Sequence, residues 1–251
     1  IAKQQNSVVA RGMGRSYGDS ANALNVLQTT YLNHFIEFDK ATGKLTAEAG
    51  ITLREILEVI VPSGWFLPVT PGTSYVTLGG AIASDVHGKN HHLAGTFGQH
   101  ITSLNILLGT GEVVTTSPQH HADLFHATCG GMGLTGIILD AKISLKKINS
   151  RFIDQTTIKT KNLKESFDAF EKYKNQPYSV AWIDCLAKGN TLGKCLLMVG
   201  DFYNDGDLSY KLKKKINIPF NFPSFSLNTL SVRAFNWLYY RKVRKKISKQ
   251  K

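Results

Sequence analysis

A chain of 251 residues that is 42% hydrophobic and 19% charged carries enough apolar content for a sizeable core in one or two domains, which excludes a disordered polypeptide. No apolar run approaches the length of a membrane span, and residues 1–6 lack an apolar signal core. Thirty basic against 18 acidic residues give a formal charge of +12, a field that attracts nucleic acid, anionic lipid or a phosphate-bearing small molecule without choosing among them.

In chain order, Val8, Val9 and Ala10 predict a short buried strand that leads into a glycine-rich segment at 10–20. A turn at 41–43 precedes a strand at 45–49. Thr52 then caps a helix, with Glu55 completing a capping box and Leu53, Ile56, Leu57 and Ile60 forming the apolar stripe until Pro62 and Gly64 stop it. A strand is expected at 66–69, and a second, longer glycine-rich segment runs through 71–92. Residues 101–108 and 112–116 flank Gly109-Thr110-Gly111 as a hairpin. A short helix follows at 123–128, then a third glycine-rich run at 130–136 and a strand at 136–145.

This alternation predicts an α+β domain over 1–147. From Thr156 a strand, a helix at 163–173 and strands at 179–186 and 192–203 read as part of a second, substrate-side α+β domain over 148–251.

Dense glycines let backbone N–H groups approach a ligand with no side chain between, and successive amides of this kind form an anion-binding concavity. A phosphate-bearing cofactor is therefore expected. The Walker spacing is absent, and Gly12, Gly14 and Gly18 place three residues rather than two between the second and third glycines, which disfavours a dinucleotide fold of the Rossmann type. Cys129, Cys185 and Cys195 are odd in number and scattered, so neither a disulfide framework nor a thiolate zinc site is expected. His87, His91, His92 and His100 offer imidazoles in number, but no H-E-x-x-H or cysteine partner accompanies them, and no metal site is assigned.

Three strings, ARGMGRSYGDSA at 10–21, PVTPGTSYVTLGGAIASDVHGKNHH at 68–92 and ATCGGMGLTGI at 127–137, resemble the flavoprotein oxidases of the vanillyl-alcohol oxidase type, whose FAD sits in a PCMH-type FAD-binding domain. Resemblance spans about residues 8–146 and returns faintly at 236–241. It implies that the amides of Ala10, Arg11, Gly12, Met13, Gly14, Arg15, Ser16, Tyr17, Gly18, Asp19 and Ser20 wrap the FAD pyrophosphate, with Arg11 and Arg15 as charge partners. Gly72, Thr77, Leu78, Gly79, Gly80, Ser84, Asp85, Val86 and His87 would line the other side of the flavin, and Gly133 and Ile138 would close the pocket. Many relatives carry a histidine where this chain has Tyr17, so the FAD is expected to be held non-covalently.

His87 and Lys89 match the family's active-site residues, which implies substrate orientation or proton handling, with Lys89 also pairing with a phosphodiester. The reaction implied is oxidation of a sugar hydroxyl, foremost the ribose 2'-hydroxyl of a polyprenyl-phosphoryl-β-D-ribose. This would be the first half of an epimerisation to the arabinose of an arabinan precursor, with an NADH-dependent keto-reductase as partner.

Two alternatives stand beside it: an alditol or aldonolactone oxidase, and a non-catalytic protein that binds polyprenyl phosphate or a membrane surface. Relatives also start earlier and continue past 237–241, where a lysine and a tyrosine return to the flavin. The basic clusters Lys211, Lys213, Lys214, Lys215 and Arg241, Lys242, Arg244, Lys245, Lys246, Lys249, Lys251 read first as a solvated helix and tail. Beside Val232, Phe235, Trp237, Leu238, Tyr239 and Tyr240 they also fit a headgroup-facing segment. No nucleic-acid partner is expected. The location implied is the cytoplasm or the inner-membrane surface, with the periplasmic face left open.

Overall fold

The computed structural model describes residues 8–210, 221, 223 and 226–243, together with the backbone of 247–250. It divides into two compact units, Ile1–Ile148 and Asn149–Lys251.

The first unit opens with Val9–Arg11 (β1), which pairs in parallel with Val26–Gln28 (β2). β1 is only half-buried, because β2 is its sole ladder partner among the described residues, in a separate two-stranded sheet. Phe35–Asp39 (β3) and Lys44–Glu48 (β4) form an antiparallel hairpin whose turn is closed by Asp39, its carboxylate accepting the N–H groups of Ala41 and Thr42. Those bonds hold the Asp39 carboxyl below the usual carboxylate range, led by the Thr42 hydroxyl.

Leu53–Ile60 (α1) starts at the expected capping box: Thr52 Oγ1 accepts the Glu55 N–H at 3.2 Å, and Glu55 Oε2 accepts the Thr52 N–H at 2.8 Å. Its stripe of Leu53, Ile56, Leu57 and Ile60 is buried, and the chain leaves through Pro62 and a left-handed Gly64. Trp65–Phe66 (β5), Leu78–Ala83 (α2), His91–Ala94 (α3), Ile101–Leu107 (β6), Val113–Thr116 (β7), Ala122–Thr128 (α4), Ile137–Ser144 (β8) and Lys146–Lys147 (β9) complete the unit. β5 is shorter than the strand expected at 66–69, since its antiparallel partner β9 has two residues; Leu67 and Val69 are buried without a ladder.

Five of these strands make one antiparallel sheet in the order β3-β4-β8-β6-β7. Leu45, Ala47, Leu104, Ile106, Ala141 and Ile143 are inaccessible or nearly so, and α1 and α2 add Ile56, Ile60, Leu78 and Ile82 to the core. Alternation along β4 and β6 puts these side chains on one face.

In the second unit Ile153–Lys159 (β10), Leu163–Lys172 (α5), Tyr178–Ile183 (β11), Cys195–Phe202 (β12), Thr229–Lys242 (α6) and Ile247–Gln250 (β13) follow one another. The strands form an antiparallel sheet in the order β11-β12-β10-β13. α5 is capped by Asn162, whose Oδ1 accepts the Glu165 N–H, and it contributes Ala169 to a core with Ile158, Leu197 and Val199.

α6 is anchored by two polar contacts, Asn236 Nδ2 to Asp184 Oδ1 at 2.6 Å and Tyr240 O–H to the Thr160 carbonyl at 2.7 Å. Phe235, Trp237 and Leu238 on the same helix are exposed. Arg241 and Lys242 occupy its last turn, with Arg241 over the Trp237 ring at 4.4 Å. Lys211, Lys213, Lys214, Lys215, Arg244, Lys245, Lys246 and Lys251 lie outside the described residues, and of Lys249 only the backbone is described. Among the described residues no helix is long and apolar enough to cross a membrane.

Candidate functional site

The short helix α2 organises the first unit's glycine-rich segments. Thr77, 2% exposed, caps it by accepting the Gly80 N–H on its hydroxyl at 3.1 Å. The preceding segment is stitched to the α1 entrance through Leu53 N–H to Val76 O, Leu78 N–H to Ile51 O and Gly79 N–H to Ala49 O. A Cβ on Gly79 would come 2.9 Å from that of Ala49. The close approach that requires glycine at 79 is therefore to the protein's own chain, while Gly80 is exposed.

The first glycine loop reaches the same cap. A Cβ on Gly12 would overlap the Thr77 side chain, so residue 12 lies directly against it. Arg11 hydrogen-bonds Asn22, which donates in turn to Asp19 at 3.0 Å, and the Arg11 carbonyl accepts the Thr29 hydroxyl. Arg11, Gly12 and Met13 line an open cavity of about 390 Å³ together with Val26, Gln28 and Thr30. The last three were not anticipated, because nothing in their local pattern distinguishes them; the parallel β1–β2 pairing brings Val26 and Gln28 there, and Thr30 follows in the 3-10 turn Thr29–Tyr31. Gly14, Arg15, Ser16, Tyr17, Gly18, Asp19 and Ser20 are exposed, with Tyr17 fully so.

The third segment docks at the opposite end of α2. Gly130 N–H donates to Ile82 O at 3.0 Å and Met132 N–H to Ala83 O at 2.8 Å. A Cβ on Gly133 or Gly72 would meet nothing within 4 Å, so both glycines face open space. Leu78 and Ile138, expected beside the flavin, are instead core residues at 0% and 5% exposure, with the Leu78 N–H committed to Ile51 O and Ile138 paired with Ile106 in the sheet.

Beyond α2, Asp85 adopts φ 39 and its carboxylate accepts the Gly98 N–H at 2.7 Å. Phe97 N–H donates to Val86 O, and His87 bridges Thr96. These three pairings close residues 85–98 into a compact loop on which His87 and Lys89 are exposed, with Ser84 exposed just before it. The rings of His87 and His91 stand 5.3 Å apart. Cys129 lies beside Asp85, and burial, then the Asp85 charge, push its thiol up to about 11. Among the described residues no three His, Cys, Asp or Glu side chains gather as a metal-binding group.

The FAD binding domain family matches residues 1–117. Decaprenylphosphoryl-beta-D-ribose oxidase of Mycolicibacterium smegmatis is 37% identical over 249 residues, 94% of this chain and 54% of that protein. L-gulonolactone oxidase of Mus musculus is 28% identical over 188 residues, 72% of this chain and 41% of its own. The chain thus spans about half the length of the curated relatives it matches. Among solved structures, an alkyldihydroxyacetonephosphate synthase superposes with a TM-score of 0.63 at 15% identity, over 77% of this chain and 42% of that one, a likeness of fold. Over residues 1–117 this α+β chain is similar to the FAD binding domain family.

Proposed function

We propose that the chain binds FAD non-covalently and oxidises a sugar hydroxyl, foremost the 2'-hydroxyl of a polyprenyl-phosphoryl-β-D-ribose, to the keto sugar. The observation that carries this reading is the convergence of the 10–20, 71–80 and 130–133 segments on one short helix, with His87 and Lys89 exposed on the next loop.

The residues fit FAD by shape and polarity. Exposed residues at 13–20, open space at Gly72 and Gly133, and the Arg11-lined cavity suit a long phosphate-bearing ligand. Arg11 and Arg15 supply positive charge for its pyrophosphate. Tyr17 offers no imidazole for a covalent link to the ring, which supports non-covalent retention.

When bound, FAD supplies the hydride acceptor for oxidising a CH–OH group. His87 orients the sugar hydroxyl and takes up its proton, as an exposed imidazole on a closed loop is suited to do. Lys89, next to it on the same turn, pairs with the substrate phosphodiester as a point charge. Asp85, through Gly98, holds the base of that loop. A keto sugar leaving this site would need a keto-reductase to complete epimerisation, and a lipid-linked substrate places the reaction at a membrane surface. The exposed Phe235, Trp237 and Leu238 beside Arg241 and Lys242 support contact with such a surface.

The similarity to L-gulonolactone oxidase favours a second reading, an aldonolactone oxidase. Anaerobic spectroscopy of the flavin-loaded protein separates the two. Bleaching by polyprenyl-phosphoryl ribose and not by a gulonolactone is expected; the reverse pattern supports the lactone oxidase, and no bleaching by either removes the oxidase reading. Acid precipitation should release the yellow colour, whereas colour retained in the pellet overturns non-covalent binding.

A further inference from the structure

The turn that presents His87 and Lys89 is pinned from beneath. Asn90 is 4% exposed, although Lys89 before it and His91 after it are exposed. Its Nδ2 donates to the Pro68 carbonyl at 2.7 Å. Asparagine at the residue before a helix ordinarily caps it through the side chain. Here the Asn90 carbonyl accepts the Leu93 and Ala94 N–H groups, but the side chain makes no cap bond and turns inward.

Gly88 reinforces the same contact. A Cβ there would come 2.8 Å from Thr70 O, 3.1 Å from Thr70 N and 2.9 Å from Asn90 Oδ1. The residues on either side of Lys89 therefore press the turn onto residues 68–70. Asn90 Oδ1 is buried with no hydrogen-bond partner among the described residues. A buried, half-satisfied amide is costly for the fold where an apolar side chain of similar volume would avoid the penalty, so its use here points to the one bond it does make.

We propose that Asn90 is a positioning residue: its amide locks the 87–92 turn onto residues 68–70 and so fixes the stance of the His87 imidazole and the Lys89 ammonium. The importance of that stance for chemistry rests on the reading of His87 and Lys89 given above; the lock itself does not. Asn90 and Pro68 are both buried, whereas Gly72 and Gly133 face open space.

Asn90→Asp keeps the shape but sets a carboxylate oxygen against the Pro68 carbonyl, and Asn90→Leu removes both polar atoms. In the full chain without substrate, amide hydrogen exchange at His91, Leu93 and Ala94 should accelerate on the order of tenfold or more in both variants, with Leu104 and Ile106 in β6 unchanged. The His87 ring signals in the NMR spectrum should split or broaden. Unchanged exchange at the turn, a uniform rise that includes β6, loss of the fold in both variants, or unaltered His87 signals would each overturn the proposal. With FAD and polyprenyl-phosphoryl ribose present, flavin reduction should slow on the order of tenfold while flavin affinity holds, and unslowed reduction in a loosened turn would overturn the positioning role. If the wild-type flavin is not reduced by this substrate while the turn and His87 respond as expected, the lock stands and the substrate reading falls.

Discussion

Gly12 lies so close to Thr77 that a Cβ on residue 12 would overlap the Thr77 hydroxyl and come 2.9 Å from its Cγ2. Thr77 has no room to withdraw, since it is 2% exposed and its hydroxyl holds the Gly80 N–H. Two segments separated by 65 positions thereby share one contact. Gly12→Val should force the first loop off α2 and weaken FAD retention on the order of tenfold or more, roughly 1.4 kcal/mol, with the circular dichroism unchanged. Flavin fluorescence titration of the apoprotein checks it; a variant of wild-type affinity would show that this contact does not shape the cofactor site.

His87 is exposed on that loop, and its ring stands 5.3 Å from that of the exposed His91. His87→Ala should leave flavin content and unfolding midpoint as they are and slow flavin reduction by substrate about 100-fold or more. Rapid-mixing absorbance at the flavin band reads the rate, and an undiminished rate removes His87 from the mechanism.

Cys129 has its thiol raised to about 11 from 9.0 by burial and then by the Asp85 charge. The folded state therefore holds this proton more tightly than the unfolded state. The associated stability is fully present below pH 9.0 and is lost as pH rises toward 11. Urea unfolding of wild type and Cys129→Ala across that window should show a decline in the wild type that is shallower in the variant; parallel curves would contradict the shift. At neutral pH, a thiol reagent should label exposed Cys185 well before Cys129 and buried Cys195.

Asp184 is buried at 6% exposure and joins Lys194 Nζ at 2.9 Å to Asn236 on α6. Burial works against its charge, but hydrogen bonds from Lys194, the Leu186 N–H and Asn236 prevail and hold the carboxyl below its usual range. The stability it contributes is present above the unfolded carboxylate range and is lost as pH falls through the lowered folded value. Asp184→Ala strands Lys194 and should cost about 3 kcal/mol in denaturant unfolding. Asp184→Asn should cost less and flatten the acid limb below about pH 4; an acid limb equal to wild type would exclude Asp184 as its source.

At the entrance of α1, Thr52→Ala removes one arm of the capping box and should lower stability by about 1 kcal/mol, while Thr52→Ser restores most of it. Unfolding midpoints that do not separate the two variants would assign the effect to the methyl rather than the hydroxyl.

Features written within a few residues were legible in the sequence. The capping box at Thr52 and Glu55, the hairpin around Gly109 and Gly111, and the α1 stripe depend on bonds between neighbours and on helical or strand period, so local spacing determines them. The three glycine-rich strings were likewise legible as dense, ordered motifs. Tertiary structure alone decided which backbone meets which. Gly79 is small because Ala49 packs against it, Val26 and Gln28 reach the Arg11 cavity through a parallel ladder, and Asn90 faces Pro68 instead of capping α3. Asn236 finds Asp184 across 52 positions to hold α6. None of these partners leaves a periodic trace, because a contact between distant segments constrains one residue at each end and leaves the neighbours free. The sequence by itself thus determined the local elements and the chemistry on offer, and the packing of α2 against three loops determined where that chemistry is brought together.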